Sequence, residues 1–424
     1  MEIDRWGLPI AEASVAVAGH LGDAWLAYGA LRQSAGDHLK AAFADGAEVP
    51  LVRLSRAAFL MLFARADFAA KAAADLALVP ASLPAREAAY RDAVQAWIDN
   101  RFEAAAERLK EHLAIAPTDF LAVKLQQYLL FYLGSGAAMA AASQRLIDAW
   151  GDAVPGSALI YGCRAFDLEE AGALAEAEMI GRAAVEREPL DLWGTHAVAH
   201  VLEMQGRAVE GLAWLSQCEP HWQGANPFIG HVWWHRALML LTLGRVDEAL
   251  DLYDGAVAGS GSDDTLDLAN AVSLLWRLQR HQAPIGDRWQ RLALICRRRA
   301  MDVMLPFLDL HLALAFAEAE QEADLSDLVG RIAARCHDDT TAGRVHKAVG
   351  HRVATALLAM ARGHRAEGLA ALVPALEDLT AIGGSHAQRD VFWQVAITAA
   401  HAEGSHPLAT MLLAQRPGYV RDPT

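Results

Sequence analysis

The sequence predicts an all-α fold built from antiparallel helical hairpins. Alanine and leucine dominate the 424 residues. Both residues favour helices, while the β-branched runs that favour strands are scarce. Turn signals also recur after helical patterns at spacings of 34, 38, 34 and 38 residues, and they lie at Asn100, Gly134, Gly172, Gly206 and Gly244. Because near-regular repeats of this length are typical of stacked helical units, the sequence predicts an α-solenoid.

The residues around each turn fit a helical hairpin. A small residue stands five positions after four of the five turns, where it allows two helix backbones to approach closely. These small residues are Ala105, Ala177, Gly211 and Ala249. Proline, which cannot continue a helix, closes three of the hairpins at Pro117, Pro189 and Pro220. One further unit is expected around Gly363.

Composition excludes several classes of protein. The net charge is −15, and such an acidic surface disfavours nucleic acid, which requires a basic face. The densest apolar run, residues 57–64, is far shorter than the ~20 residues that span a bilayer, so we expect no membrane partner. The four cysteines form no CxxC pair and are expected to be reduced thiols of a cytoplasmic protein. No phosphate-binding loop or GxSxG nucleophile motif is found.

The 34-residue spacing resembles the tetratricopeptide repeat (TPR), so the predicted architecture is a TPR-like α-solenoid. Longer strings are similar to the family of tetratricopeptide repeat protein 38 and its bacterial relatives. They are residues 5–9, 196–211, 230–253, 274–278, 307–315 and 383–392. The resemblance spans nearly the full length of the chain. It implies a helical-repeat protein and implies no particular chemistry.

We expect three regions along the chain. Residues 1–85 are predicted to form N-terminal helices, and residues 86–258 the TPR-like repeats with a histidine-rich groove. A glycine- and serine-rich stretch at residues 259–264 separates these repeats from the C-terminal helical repeats of residues 259–424, which are expected to close the array.

Two consecutive hairpins each carry a pair of histidines four residues apart. The pairs are His196 with His200 and His231 with His235, and Glu203 follows His200 by three residues. Residues at these spacings lie on one face of a helix. Counting back from the turn glycines places all five side chains on the first helix of a hairpin, at positions that line the concave groove. The sequence therefore predicts that these imidazoles converge in a groove that binds a ligand.

Three interpretations of this cluster remain open. The leading one is recognition of a small polar or carboxylate-bearing molecule or a peptide. Its predicted binding residues are Cys163, His196, His200, His221, Asn226, Phe228, His231, Trp234, His235, Asp309, His311 and Arg389. In this interpretation Phe228 and Trp234 wall the pocket and Arg389 clamps a carboxylate.

The second interpretation is a metal site, for which a divalent ion is the only cofactor considered. The candidate ligands are His196, His200, Glu203, His231 and His235, because paired histidines four residues apart are common zinc or iron ligands. The third is a metal-dependent or histidine-based hydrolase or lyase. Its candidate catalytic residues are His200, Glu203 and His235, with Cys163 as a possible thiolate nucleophile. The sequence makes no prediction of oligomeric state.

Overall fold

The computed structural model of the protein describes residues 1–417, and helices joined by short turns make up most of this part of the chain. A small antiparallel hairpin, β1 (Glu2–Ile3) and β2 (Pro9–Ile10), precedes the first helix. The helices that follow before residue 190 are α1 (Val15–Gly29), α2 (Ser34–Gly46), α3 (Pro50–Met61), α4 (Ala66–Leu76), α5 (Ala85–Ile98), α6 (Phe102–Leu113), α7 (Phe120–Tyr132), α8 (Gly136–Leu146), α9 (Ser157–Glu170) and α10 (Leu174–Arg187).

The remaining helices extend to residue 415. They are α11 (Leu192–Met204), α12 (Ala208–Cys218), α13 (Ile229–Thr242), α14 (Val246–Leu252), α15 (Thr265–Arg280), α16 (Arg288–Cys296), α17 (Pro306–Glu318), α18 (Glu322–Arg335), α19 (Thr341–Val345), α20 (His351–Ala361), α21 (Arg365–Ala375), α22 (His386–Ala402) and α23 (His406–Gln415). Two π-helical segments, Tyr253–Val257 and His346–Gly350, continue α14 and join α19 to α20. The predicted all-α class is confirmed.

The turns predicted from the sequence lie between consecutive helices, as a helical-repeat fold requires. Each turn residue adopts a positive φ, with values of 54° at Asn100, 68° at Gly134, 82° at Gly172, 69° at Gly206 and 71° at Gly244. This left-handed conformation ends a helix and is strained for most residues that carry a Cβ atom, which explains why glycine fills four of the five positions. Gly363 forms the further turn that the sequence predicted, between α20 and α21.

The small residues after the turns are buried, as predicted for close helix packing. Ala105, Ala177 and Ala249 are fully buried. At Gly211 an added Cβ would lie 2.5 Å from the sulfur of Met239, so no larger side chain fits without a shift. These features confirm TPR-like helical hairpins.

The first of two compact units contains Met1–Phe131, Ser135–Val201 and Leu215–Ile229. Within it α1 packs on α2, α3 on α4, α5 on α6 and α9 on α10, each pair forming an antiparallel hairpin. The strand hairpin is fixed to this unit by Trp6, whose indole Nε1 donates to the carbonyl of Pro155 (2.9 Å) and whose ring stacks on Phe120. Arg86 bonds Asp4 of the same hairpin at 2.7 Å.

The second unit contains Tyr132–Gly134, Leu202–Trp214 and the described part of the chain from residue 230 to residue 417. Helix α15 packs on α17 and α17 packs on α20, so the first helices of successive hairpins stack. Helix α22 packs back against α15. Residues 259–264, which the sequence predicts as a linker, lie within this unit immediately before α15. Within residues 1–417 no helix combines the length and the apolar character needed to cross a membrane.

Candidate functional site

Helix α13 carries two buried histidines whose Nδ1 atoms are both fixed by hydrogen bonds. His235 Nδ1 donates to Glu203 Oε2 at 2.6 Å, because an ionised carboxylate can only accept. His231 Nδ1 donates to the amide oxygen of Asn270 at 2.9 Å. Both histidines are almost fully buried, with 3% of His231 and 0% of His235 exposed. We call His231, His235, Glu203 and Asn270 the α13 set.

These hydrogen bonds decide how the two rings of the α13 set face each other. With a proton on each Nδ1, the neutral ring of His231 and that of His235 each keep a lone pair on Nε2. The two Nε2 atoms are 3.3 Å apart. Two lone pairs directed at one another repel unless a positive charge lies between them. A shared proton or a cation coordinated by both rings would remove this repulsion.

Trp234 holds this pair in place. Its ring stacks on His231 with the centroids 5.1 Å apart and an angle of 15° between the planes. The indole Nε1 donates to Ser273 Oγ at 3.0 Å, so the one polar atom of the buried ring has a partner. Trp234 therefore packs directly against the imidazoles, and its orientation is set by α15.

The histidines of α11 have a different environment, made largely of aromatic rings. His196 and His200 are buried, and their ring centroids lie 4.4 Å apart at an angle of 85°. Phe166 lies 5.2 Å from His196 and 5.4 Å from His200. Trp193 and Phe228 contact His196 at 5.3 and 5.0 Å. The sequence predicted Phe228 as a wall residue, and the structure places it against His196.

Two carboxylates of α9 lie beside His200. Its Nδ1 is 3.6 Å from Glu169 Oε1, which is longer than a hydrogen bond. One ligand atom each of Glu169, Glu170 and His200 lies within 4.8 Å of the others, a grouping that could hold a metal ion. We call His196, His200, Glu169 and Glu170 the α11 set.

Cys163 lies near these residues on α9, in an environment that keeps its thiol protonated. Burial raises the pKa of Cys163 to about 11, even though Lys124 Nζ donates to its sulfur at 2.9 Å and lowers that pKa. Since the thiolate is the nucleophilic form, this environment argues against the catalytic role considered for Cys163. Burial also raises the pKa of Asp167 to about 6 and that of Asp191 to about 7.

Two predicted loop residues have local structural contacts. The side chain of His221 is exposed, and its carbonyl accepts a hydrogen bond from Arg32 at 3.3 Å. Asn226 Oδ1 accepts from the backbone of Phe228 at 3.0 Å and closes the turn that precedes α13. Both residues therefore have a structural role in the loop that precedes α13.

The remaining predicted residues belong to the second unit and are engaged by their neighbours. His346 Nε2 donates to Asp309 Oδ2 at 3.0 Å, and His311 Nδ1 donates to the carbonyl of Phe307 at 2.7 Å. Burial lowers the pKa of His311 to about 4, so this ring is neutral near pH 7. Arg389 donates to the carbonyls of Gly383 and Gly384, in the turn before α22, so its guanidinium supports that turn.

Sequence reasoning missed most of the polar partners of the histidines. Glu169 was recognisable as a groove position, since it stands three residues before the turn glycine Gly172, as Glu203 does before Gly206. Asn270 carries no such signal, because one asparagine in a helix is usually unremarkable. Ser273 and His346 likewise became apparent only from their contacts.

Comparison with known proteins adds little to this description. No family model matches the chain. One similar solved structure is the hetero-tetramer of Cut9 and Hcn1 from the APC/C, at 12% sequence identity and a TM-score of 0.40. That match covers 89% of this chain and 75% of the other. The resemblance to the tetratricopeptide repeat protein 38 family remains a prediction from sequence.

Proposed function

We propose that this helical-repeat protein binds a divalent transition-metal ion through His231 and His235. The observation that carries the proposal is the pair of Nε2 atoms 3.3 Å apart with both Nδ1 atoms hydrogen-bonded elsewhere. In metal centres the ligating imidazole commonly donates its other N–H to a carboxylate or a carbonyl, which fixes the ring and raises its basicity. Glu203 and Asn270 occupy those places here.

The spacing supports an ion. Two nitrogens each about 2.0–2.1 Å from a tetrahedral zinc ion are about 3.3–3.4 Å apart. The 3.3 Å between the two Nε2 atoms lies in this range.

The α11 set supports metal binding independently. The 3.6 Å between His200 Nδ1 and Glu169 Oε1 is close to the ligand separation expected around a first-row metal ion. Each of the four imidazoles offers a ring nitrogen as a ligand atom. We therefore propose that the histidines of both helices, with Glu169 and Glu170, are the metal-binding residues of the protein.

The small carboxylate-bearing ligand or peptide predicted from the sequence is compatible with this proposal if it binds to the metal ion and not directly to the imidazoles. Glu203, Glu169 and Glu170 would repel a carboxylate that approached the imidazoles directly. Two imidazoles leave about two positions of a four-coordinate ion for other ligands. A small carboxylate would bind through the ion, and the hydrolase or lyase alternative would use a water in the same position.

Metal titration of the purified protein tests the proposal. The protein is stripped with EDTA, dialysed, and titrated with Zn²⁺ by calorimetry and with Co²⁺ by visible absorption. We expect at least one equivalent of tight binding and the visible bands of a nitrogen-ligated Co²⁺ ion that shift when acetate is added. His231→Ala and His235→Ala should each weaken zinc binding at least tenfold, whereas the exposed His221→Ala should bind as the parent does.

The folded state provides a second measurement that requires no variant. Zinc that binds only the native protein raises its unfolding free energy with the logarithm of the free zinc concentration. A parent protein that takes up less than a tenth of an equivalent of Zn²⁺ and shows no such stabilisation would overturn the proposal. Parent-like zinc affinity in both histidine variants would do the same.

A further inference from the structure

A cleft in the second unit is lined by the π-helical segment that continues α14, by α15 and by α16. Its volume is about 550 Å³, within the range of small-molecule pockets. The π-helical segment Tyr253–Val257 forms one side, and the loop of residues 259–262 forms the rim. Segments of π-helix are rare and are often found at functional sites.

The lining of the cleft combines apolar and charged side chains. Arg288, Arg291, Leu292 and Ile295 line it from α16, at the spacing of a single helix face. Asp267, Leu268 and Ala271 line it from α15, and Val257 from the π-helical segment. An uncharged ligand body would therefore rest on leucine, isoleucine, valine and alanine side chains between charged groups.

The charged groups of the cleft differ in how firmly they are held. Arg288 is firmly held: its guanidinium donates to both oxygens of Asp254, at 2.8 and 2.5 Å, and to the carbonyls of Pro284 and Ile285, each at 2.9 Å. Arg291 forms a long, exposed ion pair with Asp287, at 3.4 Å with both side chains more than 60% exposed, and its charge also lowers the pKa of Asp254. Such a pair is weak, so the guanidinium of Arg291 can turn towards an anion.

Asp267 supplies the opposite charge on the facing helix. Burial raises the pKa of Asp267 to about 6, Ser262 lowers that pKa through a hydrogen bond, and neighbouring Asp264 raises it. The carboxyl is therefore ionised above about pH 6. A partly buried carboxylate beside apolar surface attracts a cation more strongly than an exposed one does.

We propose that this cleft binds a small zwitterion whose ammonium and carboxylate groups are separated by an apolar body, such as an ω-amino acid or a short peptide. The ammonium group pairs with Asp267, the carboxylate with Arg291, and the body lies on Leu268, Ala271 and Leu292. The two charges stand on different helices that pack together, α15 and α16, so a ligand with a charge at each end of an apolar body can meet both.

Three matched probes test this assignment on the full-length protein: 6-aminohexanoate, hexanoate and hexylamine. Affinity is measured at pH 7.5 by calorimetry and ligand-observed NMR, with EDTA present so that metal binding plays no part. We expect 6-aminohexanoate to bind at least tenfold more tightly than either single-charge probe. Lowering the pH to 5 should remove this advantage as Asp267 becomes protonated.

Variants assign each charge to its residue. Asp267→Asn should weaken 6-aminohexanoate and hexylamine at least tenfold and leave hexanoate unchanged, while Arg291→Met should weaken 6-aminohexanoate and hexanoate only. Arg298→Met, an exposed arginine outside the cleft, is the matched control. Equal affinity of the three probes for the parent protein, or parent-like binding by both cleft variants, would overturn the proposal.

Discussion

Helices α11 and α13 carry the same histidine spacing, and their surroundings differ. On α13 each ring is held at Nδ1 by a polar partner, His231 by Asn270 and His235 by Glu203, and the two Nε2 atoms face each other. On α11 the rings pack among aromatic side chains, with Glu169 beyond hydrogen-bond distance of His200. Polar partners hold the first pair at Nδ1, and aromatic side chains pack closely around the second.

This difference shows what helical spacing determines and what it leaves open. The interval of four residues places two imidazoles on one helix face in both cases. Which nitrogen carries the proton is decided by residues distant in sequence, such as Asn270, which lies 39 positions after His231. Two identical local patterns can therefore present different ligand atoms to a metal ion.

The largest effect is expected from removing the aromatic support of the α11 pair. Phe166 is fully buried and contacts both His196 and His200. Phe166→Ala should lower the unfolding free energy by about 3–5 kcal/mol, measured by urea denaturation. Met179→Ala, at a residue 65% exposed, is the control and should change it by less than about 0.5 kcal/mol. A loss below about 1 kcal/mol for Phe166→Ala would show that packing does not hold the α11 pair.

The second prediction concerns the pH dependence of stability, which should differ between α11 and α13. Asp191 caps the first turn of α11, accepting from the backbone of Gly194 at 3.0 Å, and burial raises its pKa to about 7. Between about pH 4 and pH 7 the folded state keeps a proton that the unfolded chain has lost, so stability falls as pH rises. Helix α13 follows Asn226, whose amide does not titrate.

Asp191→Asn should flatten this dependence. Between pH 5 and pH 7 the ionisation of Asp191 should lower the unfolding free energy of the parent protein by about 2–3 kcal/mol. The asparagine variant has no group that ionises at this position, so it should not show this loss. Asp167, whose pKa is raised to about 6, adds to the slope in both proteins. Urea denaturation at the two pH values measures the difference, with the exposed Asp251→Asn as control. Identical slopes for parent and Asp191→Asn would contradict the assignment.

The smallest expected effect is on zinc affinity, and it tests the polar partner of His235 on α13. Glu203→Gln keeps an acceptor for His235 Nδ1 and removes the negative charge that makes the ring a better metal ligand. Zinc affinity should fall by about 10–100-fold, with little change in the stability of the metal-free protein. Calorimetry measures it, and Glu248→Gln on the surface of α14 is the control. Zinc affinity equal to that of the parent would indicate that the hydrogen bond between Glu203 and His235 in the α13 set is purely structural.

The repeat architecture could be predicted from the sequence because its signals are local. Left-handed turn residues and the small residues that follow them recur at fixed intervals, and each is determined by backbone geometry within a few positions. Ser385 begins α22 through an equally local contact, since its hydroxyl accepts from the backbone of Gln388 within one turn.

The partners of the candidate metal ligands could not be predicted in the same way. Glu169 approaches His200 from α9, and Ser273 approaches Trp234 from α15, so each contact depends on how separate helices pack. Arg389 shows the reverse case: its spacing from a helix start suggested an anion clamp, yet nearby carbonyls satisfy its guanidinium. Spacing identifies the face of a helix, while packing determines the bonds made there.

The strand hairpin of β1 and β2 ties two distant segments of the first unit together. The indole of Trp6 donates to the carbonyl of Pro155, 149 residues later, so this single hydrogen bond closes a long loop of chain. The ring of Trp6 also covers Trp25 and Phe120, so loss of the strand hairpin would uncover aromatic surface far from it in sequence.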